Sequence, residues 1–262
     1  MLFRSLSSAL QDVQSRNREL QDFAFVASHD LQEPLRKVQA FGDRLRTHLG
    51  EQLDTDSADY IERMRSAAAR MQALINDLLA YSRVSRNAHA PAQTDLNQIA
   101  REVLSDLETR IESSHAVIDL QPLPTLRADP IHMHQLLQNL IGNSLKFCAN
   151  DRPPRVTVRA EAFERGQGQH KEPWIRLLVE DNGIGFDNRY LDRIFSPFQR
   201  LHGRSQYEGS GIGLAIVRKI VERHGGQIRA DGRPGLGAVF VVELPVNAQT
   251  LPNDAAVWED AR

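Results

Sequence analysis

The sequence predicts an α+β chain of two unequal parts, an antiparallel helical hairpin followed by an α/β sandwich of helices over an antiparallel-rich sheet. The first 87 residues hold Gly only at Gly42 and Gly50 and Pro only at Pro34, whereas the other 14 glycines and 11 prolines lie beyond. Both residue types punctuate chains at turns, so the shift separates a helical segment from a mixed one. Apolar residues recur at helical spacing before the shift and alternate with polar ones in several stretches after residue 150.

Along the first part, Leu6, Leu10, Val13, Asn17, Leu20, Ala24, Ala27 and Leu31 alternate spacings of four and three, with Asn17 as the one polar member. Such a seam predicts a parallel coiled coil entering a dimer, and a buried Asn on it commonly fixes register and oligomer number. An intramolecular helical hairpin is the alternative. Thr47 to Asp56, with Gly50, reads as the turn, and Ser57 to Arg86 as a second helix. Ile61, Met64, Ala68, Met71, Ile75, Leu78, Leu79 and Ser82 line one face of it. Two antiparallel helices cannot bury both faces alone, so two hairpins would close as a dimeric four-helix bundle.

Residues 87–94 (NAHAPAQT) read as a linker. Asp95 to Ser114 then predicts a helix, Ala116 to Gln121 a strand and Pro130 to Phe147 another helix. Val156 to Phe163 and Trp174 to Glu180 predict antiparallel strands around a polar loop from Glu164 to Lys171. Helices follow near Tyr190 and from Gly213 to His224, and Gly226 to Asp231 with Ala238 to Leu244 supply the last two strands. Periodicity stops after Pro245. The expected divisions are 1–88 for the coiled-coil entry and hairpin, 89–248 for the sandwich domain and 249–262 for a loose tail.

Composition narrows the function. The 262 residues are 25% charged and 41% hydrophobic, as in ordinary folded domains. Thirty-two Lys and Arg against 34 Asp and Glu give −2, which removes the bulk electrostatic argument for a nucleic-acid binder. The one cysteine, Cys148, forms no intrachain disulfide, and a reducing cytoplasm is the expected home. No run approaches the ~18 to 20 apolar residues of a bilayer span, so no membrane contact is expected of this chain.

Four segments carry chemistry. In Ser28-His29-Asp30-Leu31-Gln32-Glu33-Pro34-Leu35, the seam puts His29 at the outward f position. A neutral imidazole can act there as a nucleophile, with Asp30 beside it to orient the ring or take its proton. From Asp129-Pro130, a helix carries Asn139 and Asn143 four apart on one face, with Lys146 further along it. Side-chain carbonyl oxygens suit Mg²⁺, and a lysine can neutralise phosphate charge. Glu180-Asp181-Asn182-Gly183-Ile184-Gly185-Phe186 and Gly209-Ser210-Gly211-Ile212-Gly213-Leu214 are glycine-rich, and the second opens a helix whose amino terminus favours phosphate. Neither has a Rossmann or Walker setting. His132, His134 and His224 read as helix-surface residues, Cys148 as a small core residue and Trp258 as part of the tail.

In this order the segments resemble the H, N, G1 and G2 boxes of two-component sensor histidine kinases, and Ile194-Phe195-Ser196-Pro197-Phe198-Gln199-Arg200 resembles the F box between the last two. The resemblance covers about residues 20–245. It implies a histidine-phosphotransfer bundle that forms a homodimer, joined to an ATP-binding domain of the Bergerat type. His29 would be the phosphoacceptor, assisted by Asp30. Asn143 would hold Mg²⁺, with Asn139 assisting and Lys146 approaching the phosphates. Asp181 would accept the adenine amino group and Phe147 would line the base, while Gly183 and Gly185 shape the nucleotide site. Phe195 and Phe198 of the F box would border the nucleotide, residues 196–208 would form a lid, and Arg200 would reach the γ-phosphate. Gly209, Gly211, Gly213 and Leu214 would cradle the phosphates.

The implied function is autophosphorylation of His29 by ATP and transfer to an aspartate of a response regulator receiver domain, under an upstream sensor that this chain lacks. ATPase relatives carry a water-activating Glu where this chain has Asn139, which disfavours hydrolysis. Many relatives carry Thr or Asn where this chain has Glu33, which puts regulator dephosphorylation in doubt. The His-Asp-Leu-Gln-Glu-Pro-Leu form of the H box resembles that of phytochrome-type and PAS-linked kinases. The alternative is a nucleotide-binding dimeric scaffold or phosphotransfer module without kinase activity.

Overall fold

The computed structural model describes residues 28, 30–86, 90–149, 151–167, 170–201, 207 and 209–247. His29, the seam from Leu6 to Ala27 and the tail with Trp258 lie outside the described residues. The chain divides into two compact units between Arg83 and Val84.

In the first unit, helix α1 (30–49) meets helix α2 (Thr55–Arg86) through a tight turn at Gly50–Gln52, where Gly50 takes φ +46°. Leu35, Ala68, Ile75 and Leu79 form its buried cluster. Gln32 on α1 donates to Asn76 on α2 at 3.0 Å, and Arg65 pairs with Asp43 at 2.7 Å. The expected apolar face of α2 is split: Ala68, Ile75, Leu79 and Ser82 are buried, whereas Met64 and Met71 are exposed. With Tyr60 and Leu74, and with Leu31, Val38, Phe41 and Leu45 on α1, they make a second apolar stripe. One hairpin covers only one side of each helix.

The described residues of the second unit form two sheets. β1 (Ala92–Asp95) pairs antiparallel with β3 (Thr125–Ala128), so the expected linker at 87–94 ends in a strand. The main sheet runs β2 (Val117–Leu120), β4 (Arg155–Gln167), β5 (His170–Asp181), β7 (Gly237–Pro245), β6 (Gln227–Arg233). Only β2–β4 is parallel. Most of the expected Glu164–Lys171 loop is strand, because β4 and β5 stay paired from Val156↔Asp181 out to Gln167↔His170. A Lys171–Glu164 ion pair at 3.0 Å bridges that outer hairpin.

The helix expected from Asp95 to Ser114 is two. Asp95 is the N-cap of α3 (Leu96–Asp106), which ends at Leu107, and α4 (Glu108–Ser114) follows with no buried residue. Helices α5 (Pro130–Lys146), α6 (Leu191–Ile194) and α7 (Gly213–Arg223) complete the unit. Leu136, Leu137, Leu140 and Ile141 of α5 and Ile216, Val217 and Ile220 of α7 are buried in the apolar layer over the sheet. Val158, Leu177, Val179, Phe240 and Val242 supply its sheet side, which register places on one face. The opposite face is charged: Arg159, Glu161, Arg176, Glu243 and Arg229 link β4, β5, β7 and β6 in a continuous ion-pair ladder.

His132 and His224 are buried, not surface residues. His224 closes α7 against the start of α5: its Nε2 accepts from the Asp129 backbone N–H at 3.2 Å, and its Nδ1 lies 2.8 Å from the Ile220 carbonyl. Cys148 is half-buried rather than in the core, and His134 lies 3.3 Å from Asp106 near the surface. Val246, beyond the expected end of periodicity, is still tied in, donating to the Pro173 carbonyl at 2.9 Å.

Candidate functional site

α5 is the beam of the site. Asp129 caps it by accepting from the Ile131 N–H at 3.0 Å, and Pro130 at the first turn needs no donor there. Its apolar face is buried, which leaves Asn139, Asn143 and Lys146 on the half-buried side. Asn139 Nδ2 donates to the Gln135 carbonyl at 2.8 Å, which fixes the amide. Its Oδ1 faces the start of α7, where a Cβ on Gly213 would come within 2.6 Å of it.

Asp181 ends β5 with its carboxylate held by three donors. Oδ1 accepts from the Gly183 N–H at 2.9 Å and the Ala238 N–H at 3.2 Å, and the Ser144 hydroxyl lies 3.3 Å from Oδ2. Burial raises the Asp181 pKa; these donors oppose that, and the Glu180 charge adds to it. The turn that follows has no room for a side chain at either of its glycines. A Cβ on Gly183 would lie 2.2 Å from the Phe147 carbonyl oxygen, and Gly185 has φ +62°. Across from it, Gly237 has φ +109°, and a Cβ there would fall 1.8 Å from the Asp181 carbonyl oxygen.

The Phe147 ring is approached by Lys146, whose Nζ is 4.6 Å from the ring centroid, and by the Tyr207 ring at 5.1 Å. Phe195 is buried. Phe198 is exposed and takes φ +62°, a conformation uncommon outside glycine, while its N–H donates to the Gly211 carbonyl at 3.1 Å. Arg200 donates to the carbonyls of Gly209 (2.8 Å) and Tyr207. Gly209 sits against Lys146, where a Cβ would come within 2.5 Å of its Nζ, and Ser210 Oγ accepts from the Ile212 N–H before Gly213 and Leu214 open α7.

The structure thus brings Asn139, Lys146, Phe147, Asp181, Gly183, Gly185, Gly209 and Gly213 to one region, with Asn143 one turn from Asn139 on α5. Asp30 lies in the first unit on α1, exposed. Sequence reasoning missed Ser144, Arg152, Tyr207 and Gly237. Among the described residues, no group of three His, Cys, Asp or Glu could hold a metal; the side chains of Asn139 and Asn143 carry amide oxygens, a donor type that suits a hard ion.

Residues 128–248 match the family model for histidine kinase-, DNA gyrase B- and HSP90-like ATPases, and residues 19–87 match that for the His Kinase A phospho-acceptor domain. The chain belongs to the two-component sensor histidine kinases. This kinase core is 38% identical over 241 residues to the phytochrome-like protein Cph1 of Synechocystis sp., covering 92% of this chain and 31% of that protein. It is 40% identical over 244 residues to cyanobacterial phytochrome A of Nostoc sp., covering 93% of this chain and 31% of that protein. The kinase core therefore spans about a third of the length of these curated relatives. The solved full-length ShkA in complex with AMPPNP has a TM-score of 0.65 at 27% identity, covering 88% of this chain and 47% of that one. The helical hairpin and the α/β sandwich are the kinase core's two parts. Among the described residues, no helix is long and apolar enough to cross a membrane.

Proposed function

We propose that this kinase core phosphorylates His29 from ATP and passes the phosphoryl group to an aspartate of a response regulator receiver domain. The observation that supports it most is the spacing of unlike groups along one site: a buried carboxylate, Asp181, at one end, and amide oxygen, ammonium and glycine backbone at the other. The carboxylate suits an adenine amino group. Asn139, Asn143, Lys146 and the glycines from Gly209 to Gly213 suit a polyphosphate.

Mg²⁺ held by Asn143, with Asn139 beside it, would supply neutralising charge on the phosphates. The chain's own residues do the rest. Asp181 accepts from the adenine amino group, and Phe147 lines the base. Lys146 offsets phosphate charge, and the start of α7 offers backbone N–H groups to it. The bonds of Arg200 to the Tyr207 and Gly209 carbonyls would be exchanged for the γ-phosphate. The His29 imidazole nitrogen attacks the γ-phosphorus, a P–N bond forms, the bond to the β–γ bridging oxygen breaks, and ADP leaves. Asp30 orients the ring and takes its proton. Positioning and electrostatics carry most of such a transfer. With Asn139 in place of a carboxylate base, water is not activated, and His29 is left as the acceptor.

The exposed stripe on α1 and α2 supports a homodimer of hairpins. The division between Arg83 and Val84 supports assigning residues 1–88 to the dimerisation and phosphotransfer part, 89–248 to the ATP-binding part and 249–262 to a tail. ATP as phosphoryl donor supports a cytoplasmic setting, with the input supplied by a sensor region outside these residues. The test is incubation of the chain with Mg²⁺ and γ-labelled ATP. Acid-labile, alkali-stable label is expected on the wild type and absent from His29→Gln and Asn143→Ala. Label persisting in His29→Gln overturns the assignment, and a wild type that binds ATP without labelling leaves the dimeric nucleotide-binding scaffold.

A further inference from the structure

We propose that Arg152, which lies outside every motif above, is a positioning residue that holds the adenine end of the site in register through backbone carbonyls. The inference rests on the reading of Asp181 as the adenine acceptor. Arg152 Nε donates to the Asn182 carbonyl at 3.0 Å, and Nη2 donates to the Gly183 carbonyl at 3.4 Å and to the Gly235 carbonyl. One guanidinium thus ties the turn after β5 to the turn between β6 and β7. A planar fork of donors can do this, whereas an ammonium presents a point charge.

The coupling to Asp181 runs through a single peptide group. The Asn182 carbonyl that accepts from Arg152 and the Gly183 N–H that donates to Asp181 Oδ1 at 2.9 Å belong to the same amide. A cation on the oxygen polarises the amide and strengthens the bond its N–H makes. Arg152 therefore reinforces the carboxylate from behind. The same turn is fixed in two further places: the Gly235 N–H donates to the Ile184 carbonyl at 2.7 Å, and the Ile184 N–H to the Phe147 carbonyl at 2.9 Å.

The base of the arginine is itself anchored. Asn182 Nδ2 donates to the Pro153 carbonyl at 3.1 Å, and Asn182 Oδ1 accepts from the Arg155 N–H at 2.8 Å. The Asp151 carboxylate, 4.0 Å from Arg152 Nε, is exposed, so the carbonyls rather than an ion pair hold the guanidinium.

The test uses the full chain with Arg152→Ala and Arg152→Lys, measuring ATP and GTP binding, the KM and kcat of His29 labelling, and the Gly183 amide resonance. In Arg152→Ala the ATP Kd and KM are expected to rise about tenfold. The preference for ATP over GTP should narrow, kcat at saturating ATP should hold, and the Gly183 amide should move upfield. Arg152→Lys should recover part of the affinity, and it remains informative if the alanine variant does not fold. Unchanged Kd and an unmoved Gly183 resonance overturn the inference, as does an equal weakening of ATP and GTP with a fall in kcat. A wild-type chain with no preference for ATP over GTP overturns the reading of Asp181 instead.

Discussion

His224 is held in one protonation state by its two bonds. A carbonyl only accepts, so Nδ1 carries the proton and donates to Ile220, which leaves the Nε2 lone pair for the Asp129 N–H. Burial lowers the His224 pKa below 6.5, Arg223 adds to that, and Asp129 and the Ile220 bond oppose it; the neighbouring ring is His132, 5.6 Å away. Between the lowered value and 6.5 the unfolded chain binds more protons, so stability rises with pH through that window and flattens above it. Melting temperatures taken between about pH 5 and pH 7 should show this slope in the wild type and a shallower one in His224→Gln. Equal slopes would remove His224 from the acid limb. The same residue shows what a sequence conceals. The H, N, F and glycine boxes were legible because each is a short run of consecutive residues whose types and spacing can be read along the chain. His224, Arg152 and Gly237 act on backbone groups distant in the chain, and such a role leaves no spacing to read.

Elements differ in the same way. α2, α5 and α7 were legible because several turns repeat an apolar face. β1 and β3 were not, since four residues carry too few alternations, and Thr94 is positioned by a bond from its hydroxyl to the Ala128 carbonyl, 34 residues away. The break at Leu107 escaped notice because apolar spacing runs across it. β7 starts at Gly237, where the chain passes so close to Asp181 that the strand's register depends on the missing side chain. Gly237→Ala combines a left-handed backbone with a clash against the Asp181 carbonyl, and a cost of about 3 kcal/mol is expected. Calorimetry should register a melting temperature lower by about 10 °C, with ATP binding weakened more than the core unfolds at room temperature. An alanine variant of wild-type stability and affinity would show that the turn has slack.

At the scale of the molecule, the shift in Gly and Pro use made the two parts legible, but periodicity alone could not say which apolar side of α2 meets α1 and which stays exposed. The structure assigns Ile75 and Leu79 to the hairpin and Met64 and Met71 to the exposed stripe. Leu31, Val38 and Leu45 recur at sevens on α1 within that stripe. A glutamate at both Val38 and Met71 would bury unpaired charge in the proposed dimer, so dimer affinity should fall about 100-fold or more. Sedimentation should show a dimer for the wild type and a monomer for Val38→Glu/Met71→Glu, with ATP binding retained; a dimeric variant would place the interface elsewhere. The strand order also governs how the ATP-binding part comes into being. β7, the last strand among the described residues, lies inside the sheet, and it alone joins β6 to β5. Until β7 has left the ribosome, Asp181 lacks its Ala238 donor and β6 has no partner. During synthesis the nucleotide site is therefore completed late and all at once, and a nascent chain that stalls before Gly237 has β5 and β6 edges open to other chains.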